Sequence, residues 1–360
     1  MPLMLNGSRL SAQWAHEKNW RRVALRERDY TRAEFVQIAL VNNMPDAALE
    51  DTELQFLDLL AAAAGDIPVR VQLFSLPEIL RSDRAQQHMS GLYFDIRDLA
   101  CGRFDALIIT GTEPRGPNLR NEAYWHTLVE LLDWAERNTT STILSCLAAH
   151  ASALHSDGIE RHMLSDKRFG VLDEGKVSDH PLTAGTPDVI RIPHSRWNEL
   201  RENDLVSCGY SVLTKSQEAD VGLFVKQKSR SLFVHLQGHP EYATQTLLKE
   251  YRRDIKRFFR RERETYPSMP LGYFDARAAK LLADFREQAL SDPREDLLTL
   301  FPDAAIAETL QNGWHSAGAR VYRNWMQYVV SRKVDTAKYS MMSASHGQDS
   351  QVQRRRSRAS

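Results

Sequence analysis

The chain is 360 residues long, 42% hydrophobic, and carries 47 basic and 47 acidic side chains. That balance gives no global field to draw it to nucleic acid, and no run is long and apolar enough to span a membrane. Three cysteines at wide, irregular spacing (Cys101, Cys146, Cys208) form neither a zinc pattern nor a disulfide framework, and the N-terminus lacks the order of a secretory signal. A soluble, cytoplasmic, reduced protein without a metal is expected.

Residues 1–34 are polar, rich in Trp and Arg and without a clean period, and read as an irregular arm. Val36 to Val41 is the first strand, followed by a turn at Asn42-Asn43-Met44-Pro45. Leu49, Phe56, Leu57, Leu59 and Leu60 then mark a helix that runs through Ala61–Ala64 and stops at Gly65. A second strand covers Val69 to Phe74, and a helical stretch around Phe94 to Leu99 ends near Gly102. The third strand, Ala106 to Thr110, enters a Gly/Pro-rich loop from Gly111 to Pro117, and a helix from Ala123 to Arg137 leads to the fourth strand at Ser141.

Strands alternating with helices in this way predict a parallel sheet with helices on both faces. From 157 to 235 the pattern changes to short strands: Phe169 to Leu172, Val189 to Ile192, Ser211 to Thr214, Gly222 to Val225 and Leu232 to Leu236. A long helix, Thr244 to Arg263, follows. Its basic cluster is interleaved with Glu and Asp and reads as a solvated face. More helix covers 275–333. The chain divides into an N-terminal arm (1–34), an α/β core (35–264), a helical C-terminal extension (265–335) and a disordered tail (336–360). No internal repeat is present.

The fourth strand runs into an Ala- and Leu-rich helix with almost no loop, which places Cys146 at the corner. A side chain on such an elbow projects from the sheet edge. The N-terminus of the next helix offers it amide donors and the positive end of a dipole, which favour a thiolate and can hold an oxyanion. Ligands of open α/β sheets gather outside the carboxyl ends of the strands, so the Gly111 loop and Cys146 share a rim. Downstream, the strand Leu232 to Leu236 ends in Gln237-Gly238-His239-Pro240-Glu241-Tyr242. Cys, then His and Glu at a later strand end, is the order of the class I glutamine amidotransferase triad. In it His239 deprotonates Cys146 and Glu241 fixes the imidazole.

Amidotransferases usually carry Gly two positions either side of the nucleophile, whereas Leu144 and Ala148 stand here. Several segments instead resemble the homoserine O-acyltransferase family, whose fold is flavodoxin-like and amidotransferase-like. They are Asn43-Met44-Pro45 with Thr52-Glu53-Leu54-Gln55, Ile109-Thr110-Gly111, Ala123-Tyr124-Trp125, Asp166 to Val171, Pro193-His194-Ser195-Arg196, Gly238 to Tyr242, and Trp314-His315-Ser316 with Asn324-Trp325. The likeness runs over about 36–330 with order and intervals kept.

The resemblance implies a transferase of methionine biosynthesis. Cys146 accepts an acyl group from acyl-CoA, with succinyl-CoA favoured, and passes it to the hydroxyl of homoserine. It implies an oxyanion hole from the amides of Leu147 and Thr112, substrate contacts at Lys167, Ser195 and Arg253, no permanently bound cofactor, and a homodimer. It also puts the choice of acyl donor in the loop after Gly111. Read without a gap, the deciding residue is Thr112, small and uncharged; read one residue on, it is Glu113, whose carboxylate would repel a succinyl group. Where the family has lysine after Met-Pro, this chain has Asp46 and Ala47. The alternatives are an acetyl donor, serine or another hydroxyl acceptor, a glutaminase-like hydrolase on the same triad, and a non-catalytic regulatory relative. His150 and His194 are the other candidate bases.

Overall fold

The structure is a computed structural model and describes residues 3–5 and 35–334. Apart from Leu3–Leu5, the arm expected at 1–34 lies outside the described residues, as does the tail expected at 336–360.

Strands β1 (Leu3–Leu5), β2 (Val36–Val41), β3 (Val69–Phe74), β4 (Ala106–Ile109) and β5 (Ser141–Ser145) come first. Among them lie α1 (Asp46–Ala64), α2 (Asp83–Met89), α3 (Ile96–Cys101) and α4 (Trp125–Asn138), and α5 (Leu147–Asp157) follows β5. The middle of the chain supplies β6 (His162–Lys176), β7 (Val189–Glu199), α6 (Glu202–Ser207), β8 (Ser211–Val212), β9 (Thr214–Ser216), β10 (Asp220–Val221), β11 (Leu223–Gln227) and β12 (Leu232–Leu236). Then come α7 (Thr246–Phe259), α8 (Ala276–Ser291), α9 (Asp303–Ala307) and a final helix, α10, over 315–334.

The main sheet has the order β1-β3-β2-β4-β5-β12-β11-β8. The run from β1 to β12 is parallel, whereas β11 and β8 pair antiparallel. Alternate side chains of a strand point to opposite faces, and the core divides accordingly. Ala39, Val41, Leu107, Ile109 and Leu144 pack with α4 and α5. Ile38, Leu40, Ile108, Ile143 and Val234 pack on the other face with α1 and with Val321, Tyr322, Trp325 and Val329 of α10. Trp325 is fully buried and its indole N–H donates to Ser141 Oγ at 2.9 Å, which ties the last helix to the start of β5. Residues buried on both faces explain why these strands read as continuous apolar runs.

The middle region differs from the short strands expected. β6 and β7 are long, pair antiparallel over most of their length, and form a second sheet in the order β10-β9-β6-β7. Their polar residues hid them: the run from Ser165 to Arg168 is half-buried or exposed, so no apolar alternation marks it. The expected strand Ser211 to Thr214 is split between β8 and β9, which belong to different sheets. Helices α2 and α6 are short, polar elements with few buried residues, and periodicity did not reveal them. The basic cluster of α7 is mostly exposed, as expected, and its cations are paired at the surface. Arg252 pairs with Asp303, Lys256 and Arg260 with Glu295, and Arg257 with Glu113.

Candidate active site

The parallel strands β2, β4, β5 and β12 end side by side, so the segments that follow them form one rim: Asn42-Asn43, Thr110-Gly111, Cys146 and Gln237 to His239. Thr110 Oγ1 accepts the Asn43 amide at 2.8 Å and donates to the Gly111 carbonyl at 2.9 Å, while Asn43 Oδ1 accepts the Leu76 amide at 3.0 Å. The Asn-Met-Pro and Thr-Gly motifs thus lock neighbouring loops together. Asp46, which departs from the lysine implied by the resemblance, accepts the Ser82 amide at 2.8 Å and pairs with Arg81 at 3.3 Å. Arg81 is nearly buried and also donates to the Met44 and Asn42 carbonyls, so a cation stands at this corner although Asp46 itself is acidic.

Cys146 is the residue between β5 and α5, with φ +51° and ψ −111°. Such a conformation is unusual for a side chain larger than Gly and stores strain on the order of 1–3 kcal/mol. It is held by the Cys146 amide, which donates to the Leu236 carbonyl at 2.7 Å, and by the helix that starts at Leu147. The first amides of a helix have no acceptor within it. Gly111 approaches this turn closely: a Cβ there would stand 3.2 Å from Leu147 N.

His239 is brought in by a second close approach. A Cβ on Gly238 would lie 2.5 Å from Ile192 Cγ2 and 3.0 Å from the His194 ring, so only glycine lets the end of β12 pass under β7. The His239 amide then donates to the Pro193 carbonyl at 2.8 Å. On its side chain, Nδ1 meets Glu241 Oε1 at 2.8 Å, and the imidazole lies close enough to Cys146 to feel its charge. The ring stacks on Tyr242 with centroids 4.3 Å apart, and the Tyr242 carbonyl accepts the Trp314 indole N–H at 2.7 Å. Burial works against a charge on His239, but the Glu241 carboxylate and the negative form of Cys146 outweigh it and hold its pKa well above the usual 6.5. The arrangement can therefore keep a proton on the imidazole beside the sulfur.

The other candidate histidines are engaged elsewhere. His150 is buried on α5 with Nε2 3.0 Å from Gln237 Oε1, and burial drives its pKa down to about 3. His194 is fully buried against Glu174 Oε1 at 2.8 Å, with its pKa lowered by burial. Beside it Arg196, almost fully buried, donates to the Asn198 and Ala219 carbonyls at 2.7 and 2.6 Å, and its charge is felt at Cys146. Cys101 is exposed on α3, and Cys208 follows α6.

Lys167, Ser195 and Arg253, far apart in sequence, converge on one face of α7. Lys167 Nζ contacts Asp254 at 2.8 Å and lies 3.7 Å from Glu250 and 3.9 Å from the centre of the Phe169 ring. Ser195 Oγ donates to Glu250, which also accepts the Tyr242 hydroxyl at 2.8 Å. Arg253 is about two-fifths exposed beside Asp254. Thr112 is half-buried on the loop next to Leu147, whereas Glu113 is turned toward α7, 2.9 Å from Arg257. Sequence reasoning missed Glu250, and it quoted Tyr242 and Arg196 within motifs without giving them a role. The one available signal was the spacing of Glu250, Arg253, Asp254 and Arg257, which puts all four along one side of a helix. Among the described residues no cluster of His, Cys, Asp and Glu is arranged to hold a metal, and no helix is long and apolar enough to cross a membrane.

The family model described as "Homoserine O-succinyltransferase" matches residues 17–336. The homoserine O-succinyltransferase of Rhodopseudomonas palustris is 45% identical over 299 residues, covering 83% of this chain and 90% of that protein. The proteins of the same name from Bradyrhizobium japonicum and Methylorubrum extorquens are 44% and 42% identical, covering 81% and 82% of this chain and 90% and 88% of their own. Among solved structures, glutamine amidotransferases of Thermotoga maritima and Methylobacillus flagellatus each cover 82% of this chain, and 98% and 95% of their own. Their TM-scores are both 0.43, at 11% and 16% identity.

Proposed function

Because the chain belongs to the homoserine O-succinyltransferase family, we propose that it transfers a succinyl group from succinyl-CoA to the hydroxyl of L-homoserine, for methionine biosynthesis, through a thioester on Cys146. The observation that carries the mechanism is Cys146 on a positive-φ elbow, electrostatically coupled to His239, which is itself hydrogen-bonded to Glu241.

In the first half-reaction the Cys146 thiolate attacks the acyl carbon of the thioester. A tetrahedral oxyanion forms at the Leu147 amide, with the Thr112 amide as second donor. The C–S bond to CoA then breaks, and the imidazolium of His239 gives its proton to the departing thiolate. One thioester replaces another, so the step is nearly isoenergetic. In the second half-reaction neutral His239 takes the proton of the homoserine hydroxyl as its oxygen attacks the acyl carbon. Collapse expels the Cys146 thiolate and restores the ion pair. Glu241 keeps Nδ1 protonated and stabilises the charged ring throughout.

Arg253 suits the carboxylate of the amino acid because its planar fork engages both oxygens. Glu250 suits the ammonium group, with Ser195, Tyr242 and Lys167 fixing its position.

Intact-protein mass spectrometry with a panel of acyl-CoAs tests this. Succinyl-CoA is expected to add one succinyl mass that homoserine removes. Cys146→Ser should abolish the adduct, while Cys101→Ser and Cys208→Ser retain it. An adduct mapped to Cys101 or Cys208 refutes the assignment.

A further inference from the structure

Beyond the triad and the α7 cluster, two arginines are felt at Cys146 without a task in the mechanism: Arg196, already described, and Arg161. Arg161, just before β6, reaches across to the 111–117 loop, where its guanidinium donates to the Gly116 and Pro117 carbonyls at 3.2 and 2.8 Å. Among the described residues no carboxylate lies within ion-pair distance of it. The neighbouring acids are committed elsewhere: Glu160 pairs with Arg120, and Glu122 Oε1 accepts the Arg115 and Gly116 amides at 2.7 and 2.8 Å. Tyr124, at the start of α4, is 5% exposed, yet its hydroxyl has no hydrogen-bond partner. The Arg161 charge is felt both at that phenol and at Cys146, but Arg161 makes no hydrogen bond to the sulfur.

A half-buried guanidinium lacking a counter-ion and a buried hydroxyl lacking a partner are both costly unless something completes them. A four-carbon diacid carried as a thioester extends its far carboxyl carbon about 5 Å beyond the sulfur, by ordinary bond lengths. The loop that Arg161 braces begins at Gly111, where a Cβ would stand 3.2 Å from Leu147 N, so the guanidinium is anchored to the segment that borders the Cys146 elbow. We propose that Arg161, together with the Tyr124 hydroxyl, binds the free carboxylate of the acyl group carried on Cys146, and thereby selects dicarboxylic acyl donors over neutral ones of the same length. The inference rests on the acyltransferase reading and adds to it the residues that recognise the donor.

The test compares succinyl-CoA with butyryl-CoA, which has the same four-carbon chain without the carboxylate. The rate of acylation of Cys146 is measured for wild type, Arg161→Gln, Arg161→Lys and Tyr124→Phe. Wild type is expected to favour succinyl-CoA. Arg161→Gln should lower the succinyl-to-butyryl ratio of kcat/KM on the order of ten- to a hundredfold, the cost of one charge-assisted hydrogen-bonded contact, and Arg161→Lys should restore part of it. Should Arg161→Gln fail to fold, Tyr124→Phe carries the test. It removes a hydroxyl that no protein group uses, so Tm should hold while the ratio falls severalfold. Equal loss with both donors, or an unchanged ratio in both variants, overturns the proposal and leaves the acyltransferase reading standing. Absence of any acyl-enzyme in wild type, from either donor, overturns both.

Discussion

Adding one methyl group at Gly111 separates the chemistry from the fold. A Cβ there would stand 3.2 Å from Leu147 N, 3.4 Å from Leu147 Cβ and 3.5 Å from Ser145 O. Gly111 has no left-handed backbone angle, so alanine meets no conformational penalty. The tightest contact asks for a shift of a few tenths of an ångström against backbone, which places the stability cost near 1 kcal/mol, the low end for overpacking. The catalytic cost is larger, because the methyl leans on the amide that would receive the oxyanion. Donors there act at about 2.7–3.1 Å, and losing one costs about 10²- to 10³-fold in kcat. Gly111→Ala should therefore keep Tm within a few degrees of wild type while kcat for succinyl transfer falls by that factor and KM changes little. Wild-type kcat in a folded Gly111→Ala protein would show that the Leu147 amide does not hold the oxyanion. A collapse of Tm in step with kcat would show that the methyl acts on the elbow itself.

The remaining expectations concern the triad, the donor loop and the last helix. His239→Ala should lower kcat at least about 10²-fold through loss of the proton carrier, and Glu241→Gln should cost less. Because Glu241 raises the His239 pKa above its unfolded value, its contribution to stability is full below about pH 6.5 and disappears as pH rises through the folded pKa. The Tm gap between wild type and Glu241→Gln should accordingly be widest at low pH. The alkaline limb of kcat/KM for the acyl donor should also move to lower pH in the variant; a limb that stays put would remove His239 from that step. On the donor loop, Thr112→Glu should shift preference from succinyl- toward acetyl-CoA, whereas Glu113→Ala should not, because that carboxylate already faces Arg257. Comparing kcat/KM for the two donors decides between the registers. Trp325→Ala should destabilise the protein by about 3–5 kcal/mol in urea titrations, as expected for a large buried aromatic.

The parallel strands and the elbow were legible because their residues are buried on both faces, so composition alone marks Val36 to Val41, Ala106 to Ile109 and the run into Cys146. His239 and Glu241 were legible from chain order and their place at a strand end. The long strands β6 and β7 were only partly so, since Asp166, Lys167 and Arg168 face other side chains and leave no periodic trace. Glu250 was invisible for a different reason. Its surroundings come from β6, β7, α7 and the segment after β12, and no local pattern announces such a meeting. Arg161 and Tyr124 share that property: each is an ordinary residue until the fold sets one beside the loop after Gly111 and buries the other's hydroxyl without a partner.

The helix over 315–334 has a consequence for how the protein is made. Val321, Tyr322, Trp325 and Val329 cover a face of the sheet that strands from the first half of the chain help build, and Trp325 bonds to Ser141. On the ribosome, every strand of that sheet and the whole Cys146–His239–Glu241 series leave the exit tunnel before this helix does. Until it arrives, the face built by Ile38, Leu40, Ile108, Ile143 and Val234 is covered only in part, by α1, and the rest is the kind of apolar surface that binds chaperones or neighbouring nascent chains. Synthesis therefore passes through an interval in which the reactive residues exist but their platform is incomplete. Slowing translation after about residue 300 should lengthen that interval and raise chaperone dependence more than slowing it earlier.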